Sequence, residues 1–146
     1  MFGKTDDDKY VLSKQGAETE IQKIFDYYEI DPDEIEDKDQ KKFVKANFDR
    51  VIKAARLGRL EVMNDEKGFR VIQHLRDDKD RSNSLTYREI DGNAKTATAG
   101  KDEKDFYGRI YAVMGSLSGL GEGGIKKLKG VDLSLCEVLG AIFLSA

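Results

Sequence analysis

The strongest constraint on the fold of this chain lies in its last part, residues 105–146, where two apolar helical patterns flank a glycine-rich stretch. In the first pattern the apolar residues recur at the spacing of one helix face, at Phe106, Ile110, Val113, Met114 and Leu117. The second pattern, over residues 131–144, is apolar on nearly every side. Such a helix must be buried on several sides, within its own domain or against another chain. The segment therefore predicts a helix, a corner and a closing helix.

The glycine-rich stretch itself, residues 118–124, predicts a tight corner and not a phosphate-binding loop. Its glycines lack the spacing of a dinucleotide-binding fingerprint, and they follow a helix instead of a strand. No P-loop lysine–serine pair comes after them. We expect a short helix over residues 122–129 that ends at Gly130. Asp132 then has the side chain and the position of an N-cap for the closing helix.

The N-terminal part predicts two helices. Ser13 is a suitable N-cap, and apolar residues at helical spacing follow it over residues 17–28. This helix must end before Pro32, because the residue before a proline is disfavoured in the helical region. A second amphipathic helix is predicted over residues 40–57, with Gly58 as the residue that ends it.

The charged residues of this N-terminal part have structural explanations. If the acidic stretch 31–39 were a calcium loop, Ile35 and Glu36 would stand where an oxygen ligand and a glycine are required. The stretch instead predicts a solvated connection between helices. The many lysines and arginines of the second helix suggest either a phosphate-binding surface or an exposed amphipathic face. The exposed face is favoured, since its positive charges are opposite in sign to those of the acidic connection that precedes it.

After Gly58 the hydrophobic pattern changes from helical to alternating, which predicts antiparallel strands. Residues 59–63 and 69–75 form the expected hairpin around a loop at 64–68. Residues 84–90 are the expected third strand, and the small residues 94–100 predict an extended or mobile connector.

The predicted fold class is therefore α+β, with an N-terminal helical pair, a small antiparallel β-meander over about residues 59–90 and a C-terminal helical unit. A length of 146 residues suits a single domain. The polar stretch 77–83 is the candidate boundary between two parts of it, residues 1–76 and 84–146.

Composition argues against several classes of function. Charged residues make up 36% of the chain, but the two signs are interleaved and the net charge is −3, which is unfavourable for binding nucleic acid. The longest apolar run, residues 138–144, is far shorter than the roughly 20 residues of a membrane span. The single cysteine, Cys136, lies in an apolar helical pattern and is expected to be a buried core residue.

No catalytic, cofactor-binding or metal-binding residue is predicted. The sequence has no Ser/His/Asp arrangement with a local elbow, no Cys/His pair and no paired metal-ligand motif. His74 is the sole histidine, and no cysteine lies near it in sequence. We expect it on a strand surface.

The second half of the chain, about residues 84–146, carries a strand, a small-residue connector, a helix, a short turn and an apolar closing helix, with characteristic residues at Thr86, Arg88, 117–120, Leu128, Asp132 and 139–144. This order resembles the tail assembly chaperone family of long-tailed bacteriophages. The resemblance implies a non-enzymatic protein of the host cytoplasm. It also implies binding to the tape measure protein and to tail tube subunits during tail morphogenesis, without a cofactor.

The closing apolar residues Leu139, Ile142, Phe143 and Leu144 are the predicted partner-binding residues, because this end has more apolar surface than a small domain obviously needs. Weak self-association is a further expectation. Two alternatives to a chaperone remain. One is a structural protein of the virion, such as a tail or head–tail connector subunit, and the other is a small phage protein that binds and regulates a host protein.

Overall fold

The computed structural model describes residues 9–76 and 83–146 of the chain. These residues form helices around one three-stranded antiparallel sheet, which confirms the α+β class. The elements are α1 (Lys14–Tyr27), a short 3-10 helix (Pro32–Glu34), α2 (Lys38–Ala46), α3 (Phe48–Arg56), β1 (Leu60–Asp65), β2 (Gly68–His74), β3 (Ser84–Arg88), α4 (Gly92–Thr96), α5 (Phe106–Ser118), α6 (Gly121–Ile125) and α7 (Gly130–Phe143).

Helix α1 begins where its sequence predicts. The Ser13 side chain accepts a hydrogen bond from the backbone N–H of Gly16 at 3.0 Å, which satisfies one of the free amides of the first turn. The face that carries Ala17, Ile21 and Ile24 is completely buried. This apolar stripe fixes the helix against the rest of the domain.

The helix predicted over residues 40–57 is two helices, and the single-helix prediction is wrong. The chain leaves helical geometry at Asn47, whose φ of −112° and ψ of 9° separate α2 from α3. The Asn47 side-chain amide donates to the backbone carbonyl of Phe43 at 2.9 Å. Asparagine competes with helical backbone bonds in this way. Gly58 follows α3 with a left-handed φ of 76°, as expected of a residue that ends a helix.

The hairpin prediction is confirmed, with a tighter turn than expected. Strands β1 and β2 pair in antiparallel register from Leu60↔Gln73 to Asp65↔Gly68, so only Glu66 and Lys67 remain in the loop. The Asp65 carboxylate accepts from the Lys67 amide at 2.9 Å and stabilises this turn. Strand β3 pairs with β2, which places β2 in the centre of the sheet.

The connector predicted over residues 94–100 is wrong in its first part, where helix α4 forms. Asp91 caps this helix by accepting from the Ala94 amide at 2.9 Å, and Ala94 itself is completely buried. The small residues of this stretch lacked an apolar stripe. One buried alanine and one cap are enough for a single helical turn.

Two expectations about the closing helix are also wrong. Gly130, with a φ of 58°, begins α7 instead of ending the helix before it. Asp132 is not the N-cap, because it lies inside the first turn of α7. Its two carboxylate oxygens accept from the backbone N–H of Arg76 at 3.0 and 3.2 Å. Asp132 therefore joins the end of β2 to the start of α7.

Helix α7 lies at the centre of the packing. It contacts α2, α3 and α5, while the inner face of the sheet packs on α1, α3 and α5. The buried side chains form one continuous cluster with members from residues 17–76 and from residues 84–146. The candidate boundary at 77–83 lies, apart from Asn83, outside the described residues.

Candidate partner-binding surfaces

The predicted binding residues at the end of α7 are mostly part of the core. Leu139 and Ile142 are completely buried and Phe143 is 4% exposed. The Phe143 ring packs against the rings of Tyr28 and Tyr87, with centroids 6.0 and 6.3 Å apart. The prediction that Leu139, Ile142 and Phe143 form an exposed apolar face is therefore wrong. Helices α2, α3 and α5, together with Tyr28 and Tyr87, cover the apolar sides of α7 within one chain.

Leu144 differs from the other three, because it is half-buried and lines an open groove of about 430 Å³. Ile30 and Ile35 contribute further apolar surface, and the carboxylates that line the groove are Glu29, Asp31, Glu34, Glu36 and Asp37. We call this the acidic groove. Asp31 and Asp37 accept backbone amides of the helices that follow them, at 2.9 Å each. Part of the acidic character thus comes from helix capping.

A second surface is an aromatic cluster where α2 and α5 meet, composed of Phe43, Phe106, Tyr107 and Tyr111. The ring centroids of Phe43 and Phe106 are 5.1 Å apart, and those of Phe106 and Tyr107 are 5.4 Å apart. Tyr107 is 48% exposed, and the other three side chains are partly exposed. We call these four residues the aromatic cluster. Edge-on and tilted contacts of this kind stabilise aromatic pairs beyond simple burial.

The aromatic cluster is fixed to the core through a polar contact. The Tyr111 hydroxyl donates to Glu137 Oε2 of α7 at 2.6 Å. Burial and this hydrogen bond raise the pKa of Tyr111 above its ordinary value, so the hydroxyl stays protonated and remains a donor. The cluster is thus a rigid patch with uncharged aromatic rings, and both Tyr and Phe are enriched in protein interfaces.

A third surface lies at the opposite end of α7 from the acidic groove. It is an open groove of about 480 Å³ between α3, the start of β1 and the first turns of α7. Its basic side chains are Arg50, Lys53, Arg59 and Arg76, its apolar lining consists of Ala54, Leu57, Val131 and Leu135, and its carboxylates are Asp49 and Asp132. We call this the basic groove. Asp132 is already bonded to the Arg76 amide, as described above.

Behind the basic groove, a buried polar chain connects the sheet to α7. The Tyr87 hydroxyl donates to Gln73 Oε1 at 2.7 Å, and the Gln73 amide donates to the backbone carbonyl of Asp132 at 3.0 Å. Burial raises the pKa of Tyr87 well above its ordinary value, which keeps this hydroxyl a donor. The chain positions the first turn of α7 and, with it, one wall of the groove.

Cys136 is buried as predicted. Burial raises the pKa of its thiol to about 12, so the reactive thiolate is scarce at neutral pH.

His74 lies on the outer face of β2, and its Nε2 is 2.9 Å from Glu61 Oε1 on β1. This is a cross-strand contact on the sheet surface.

Within residues 9–76 and 83–146, no group of three or more histidine, cysteine, aspartate or glutamate side chains is placed to hold a metal ion. In the same part of the chain, no helix is both long enough and apolar enough to cross a membrane.

Comparison of the chain with known protein families, with curated proteins and with solved structures found no match.

One feature of the sequence indicates the aromatic cluster, although an analysis of hydrophobic periodicity does not use it. On α2, Phe43 is next to the buried Val44. On α5, Tyr107 follows Phe106 of the apolar stripe and lies one turn before Tyr111. An aromatic residue beside a stripe either packs at the rim of the core or contacts a partner. The basic groove had no comparable signal, because its basic side chains come from α3, from the residue before β1 and from the second residue after β2.

Proposed function

We propose that this protein is a non-enzymatic tail assembly chaperone of a long-tailed bacteriophage, which binds the tape measure protein and tail tube subunits in the host cytoplasm. The observation that favours binding of this kind is the aromatic cluster on α2 and α5. It offers a patch of partly exposed rings on a rigid support, whereas the apolar end of α7 is buried.

The aromatic cluster suits a partner helix with an apolar stripe. Tyrosine and phenylalanine supply a large contact area and lose little conformational entropy on binding, because each has only two side-chain torsions. Tyr107 is the most exposed ring and has Phe106 and Tyr111 as ring neighbours. An aliphatic side chain of a tape measure helix would pack on these rings.

A contact of this size also suits release. The cluster consists of four side chains, whereas a stable protein interface buries about 1,600 Å² in total and involves about 20–30 residues on each side. Single contacts are therefore weak, and stable coverage of a long helix requires many copies that bind side by side. Tail tube subunits that bind the same helix more tightly then displace them. The short-lived complex is what an assembly chaperone requires.

The test is coexpression of the full chain with a tape measure protein from a long-tailed phage, followed by gel filtration. We expect the soluble fraction of the tape measure protein to rise and a complex to be detected. Tyr107→Asp should remove both effects while its circular dichroism spectrum stays that of the wild type. Leu120→Asp is the matched control, since Leu120 is similarly exposed, at 46%, but lies outside the aromatic cluster.

Two results would contradict the proposal. One is an unchanged solubility of the tape measure protein with no complex on the column. The other is a purified protein that forms a stable ring or tube by itself, which would indicate a structural subunit of the virion. An equal loss of binding in Tyr107→Asp and Leu120→Asp would mean that the aromatic cluster is not the binding surface.

A further inference from the structure

We propose that the basic groove is a docking site for an acidic amphipathic segment of a partner protein, in which apolar side chains alternate with aspartate or glutamate. This inference concerns a different surface from the aromatic cluster and does not depend on the proposed function. It is based on the charge of the groove, on its apolar lining and on the hydrogen bonds that occupy the Asp132 carboxylate.

The charge of the groove is opposite to that of the chain. The protein has a net charge of −3, yet the described residues that line this groove include four basic side chains and two carboxylates. Arg50 and Lys53 come from one face of α3, Arg59 precedes β1 and Arg76 follows β2. Basic side chains that converge from separate elements produce a local positive potential, which attracts an anionic partner and speeds its association.

Among residues 9–76 and 83–146, the basic side chains of the groove form no ion pair with carboxylates of the protein. Of the two carboxylates, Asp132 accepts the Arg76 backbone amide. Guanidinium and ammonium groups form strong, charge-assisted hydrogen bonds with carboxylates, which a partner segment would supply.

The lining of the groove favours a peptide over other anions. Leu57 and Val131 are half-buried, and beside them lie the buried Ala54 and Leu135. A small inorganic anion would leave this apolar surface exposed to water, whereas an apolar side chain of a peptide would cover it. Single-stranded nucleic acid binds to basic grooves with aromatic side chains on which its bases stack. The lining of this groove includes no aromatic side chain among the residues that the structure describes.

The test uses the full chain and a short fluorescent peptide in which leucines alternate with pairs of glutamates, measured by fluorescence anisotropy. The comparison peptide has glutamine in place of every glutamate. We expect the glutamate peptide to bind at least about tenfold more tightly, which corresponds to about 1.4 kcal/mol. Added salt should weaken its binding, because these charges are accessible to solvent.

Two double variants locate the site. Arg50→Glu with Lys53→Glu reverses two charges of the groove and should weaken binding of the glutamate peptide at least about tenfold. Lys41→Glu with Lys42→Glu makes the same change in charge on α2, outside the groove, and should leave binding within about twofold of the wild type. If the first variant does not fold, Arg59→Gln with Arg76→Gln replaces it, with the same expectation.

Several results would overturn the proposal. One is a glutamine peptide that binds as tightly as the glutamate peptide. Another is a loss of affinity in Lys41→Glu with Lys42→Glu that equals the loss in Arg50→Glu with Lys53→Glu. A third is a single-stranded oligonucleotide that displaces the glutamate peptide at a concentration lower than that of unlabelled glutamate peptide needed for the same displacement. A protein that does not bind the peptide but associates with itself would also overturn the proposal if Arg50→Glu with Lys53→Glu abolished that self-association. The groove would then be an interface between two copies of this chain. Tyr107→Asp should bind the peptide like the wild type, so failure here is distinguishable from failure of the proposed chaperone function.

Discussion

Helices α7 and α3 pack against each other, but their sequences and their surfaces differ. Helix α7 is apolar on almost all sides, and its second half is buried from Val138 to Phe143. Helix α3 is apolar on one face only, and its charged face lines the basic groove with Arg50 and Lys53. In this protein the apolar content of a helix indicates how far it is buried. Surfaces suited to binding instead occur where an amphipathic helix meets its neighbours.

The largest expected effect tests the burial of α7. Phe143→Asp should cost more than about 4 kcal/mol of unfolding free energy, because it places a carboxylate between buried aromatic rings without a partner. Leu144→Asp, one residue further on, should cost less than about 1.5 kcal/mol, because Leu144 is half-buried and reaches the acidic groove. Urea denaturation followed by circular dichroism measures both. A folded Phe143→Asp protein with wild-type stability would contradict this burial and indicate that the end of α7 is exposed.

The next effect tests how closely α7 is packed. An added Cβ at Gly140 would lie 2.6 Å from Ile110 Cγ2 and 3.1 Å from Met114 Cγ, and both of these side chains are completely buried. Gly140→Ala should therefore cost about 2 kcal/mol through overpacking. Gly123→Ala in α6 is the control, since an added Cβ there would meet no atom within 4 Å beyond its chain neighbours and its own helix backbone. That control should be neutral or more stable by up to about 1 kcal/mol, because alanine favours helix. Equal unfolding midpoints of the two variants would contradict close packing of α7 on α5.

A smaller effect is expected where the sheet is joined to α7. Tyr87→Phe removes the donor to Gln73 Oε1 and leaves this buried oxygen without its partner. The unfolding free energy should fall by about 1.5 kcal/mol. Tyr107→Phe removes a hydroxyl from an exposed tyrosine and should change the free energy by less than about 0.5 kcal/mol. A Tyr87→Phe protein as stable as Tyr107→Phe would argue against the polar chain behind the basic groove.

The smallest expected effect concerns an exposed carboxylate, and it depends on pH. The Ala94 amide, with the Arg88 guanidinium, holds the pKa of Asp91 below its ordinary value of 3.8. A lowered pKa in the folded state stabilises the protein fully above the ordinary value, and this stabilisation is lost as pH falls through the folded value. Asp91→Ala should therefore melt at a lower temperature than the wild type near pH 6, and the difference should shrink near pH 2. A difference that is constant with pH would mean that charge contributes nothing to this cap.

Local chemistry explains which parts of the fold were predictable. Ser13 caps α1, Gly58 follows α3, the hairpin forms over residues 60–74, and Cys136 is buried. Each of these depends on one residue type or on a short pattern. The break at Asn47 and the start of α7 at Gly130 were missed, since their residues are compatible with two local conformations. At Asn47 the side-chain bond to the Phe43 carbonyl accompanies the break, and at the start of α7 the distant bond from the Arg76 amide holds Asp132.

The sequence by itself determined that this chain forms an α+β fold with an apolar closing helix, because periodicity and caps act over a few neighbouring residues. It did not determine what covers that helix. Only the tertiary structure decided that Leu139, Ile142 and Phe143 are buried, with the rings of Tyr28 and Tyr87 against Phe143, and that Leu144 alone of these four remains half-exposed. It also decided that basic side chains from separate elements meet in one groove. The physical reason is that burial and charge convergence depend on distances between residues far apart in the chain.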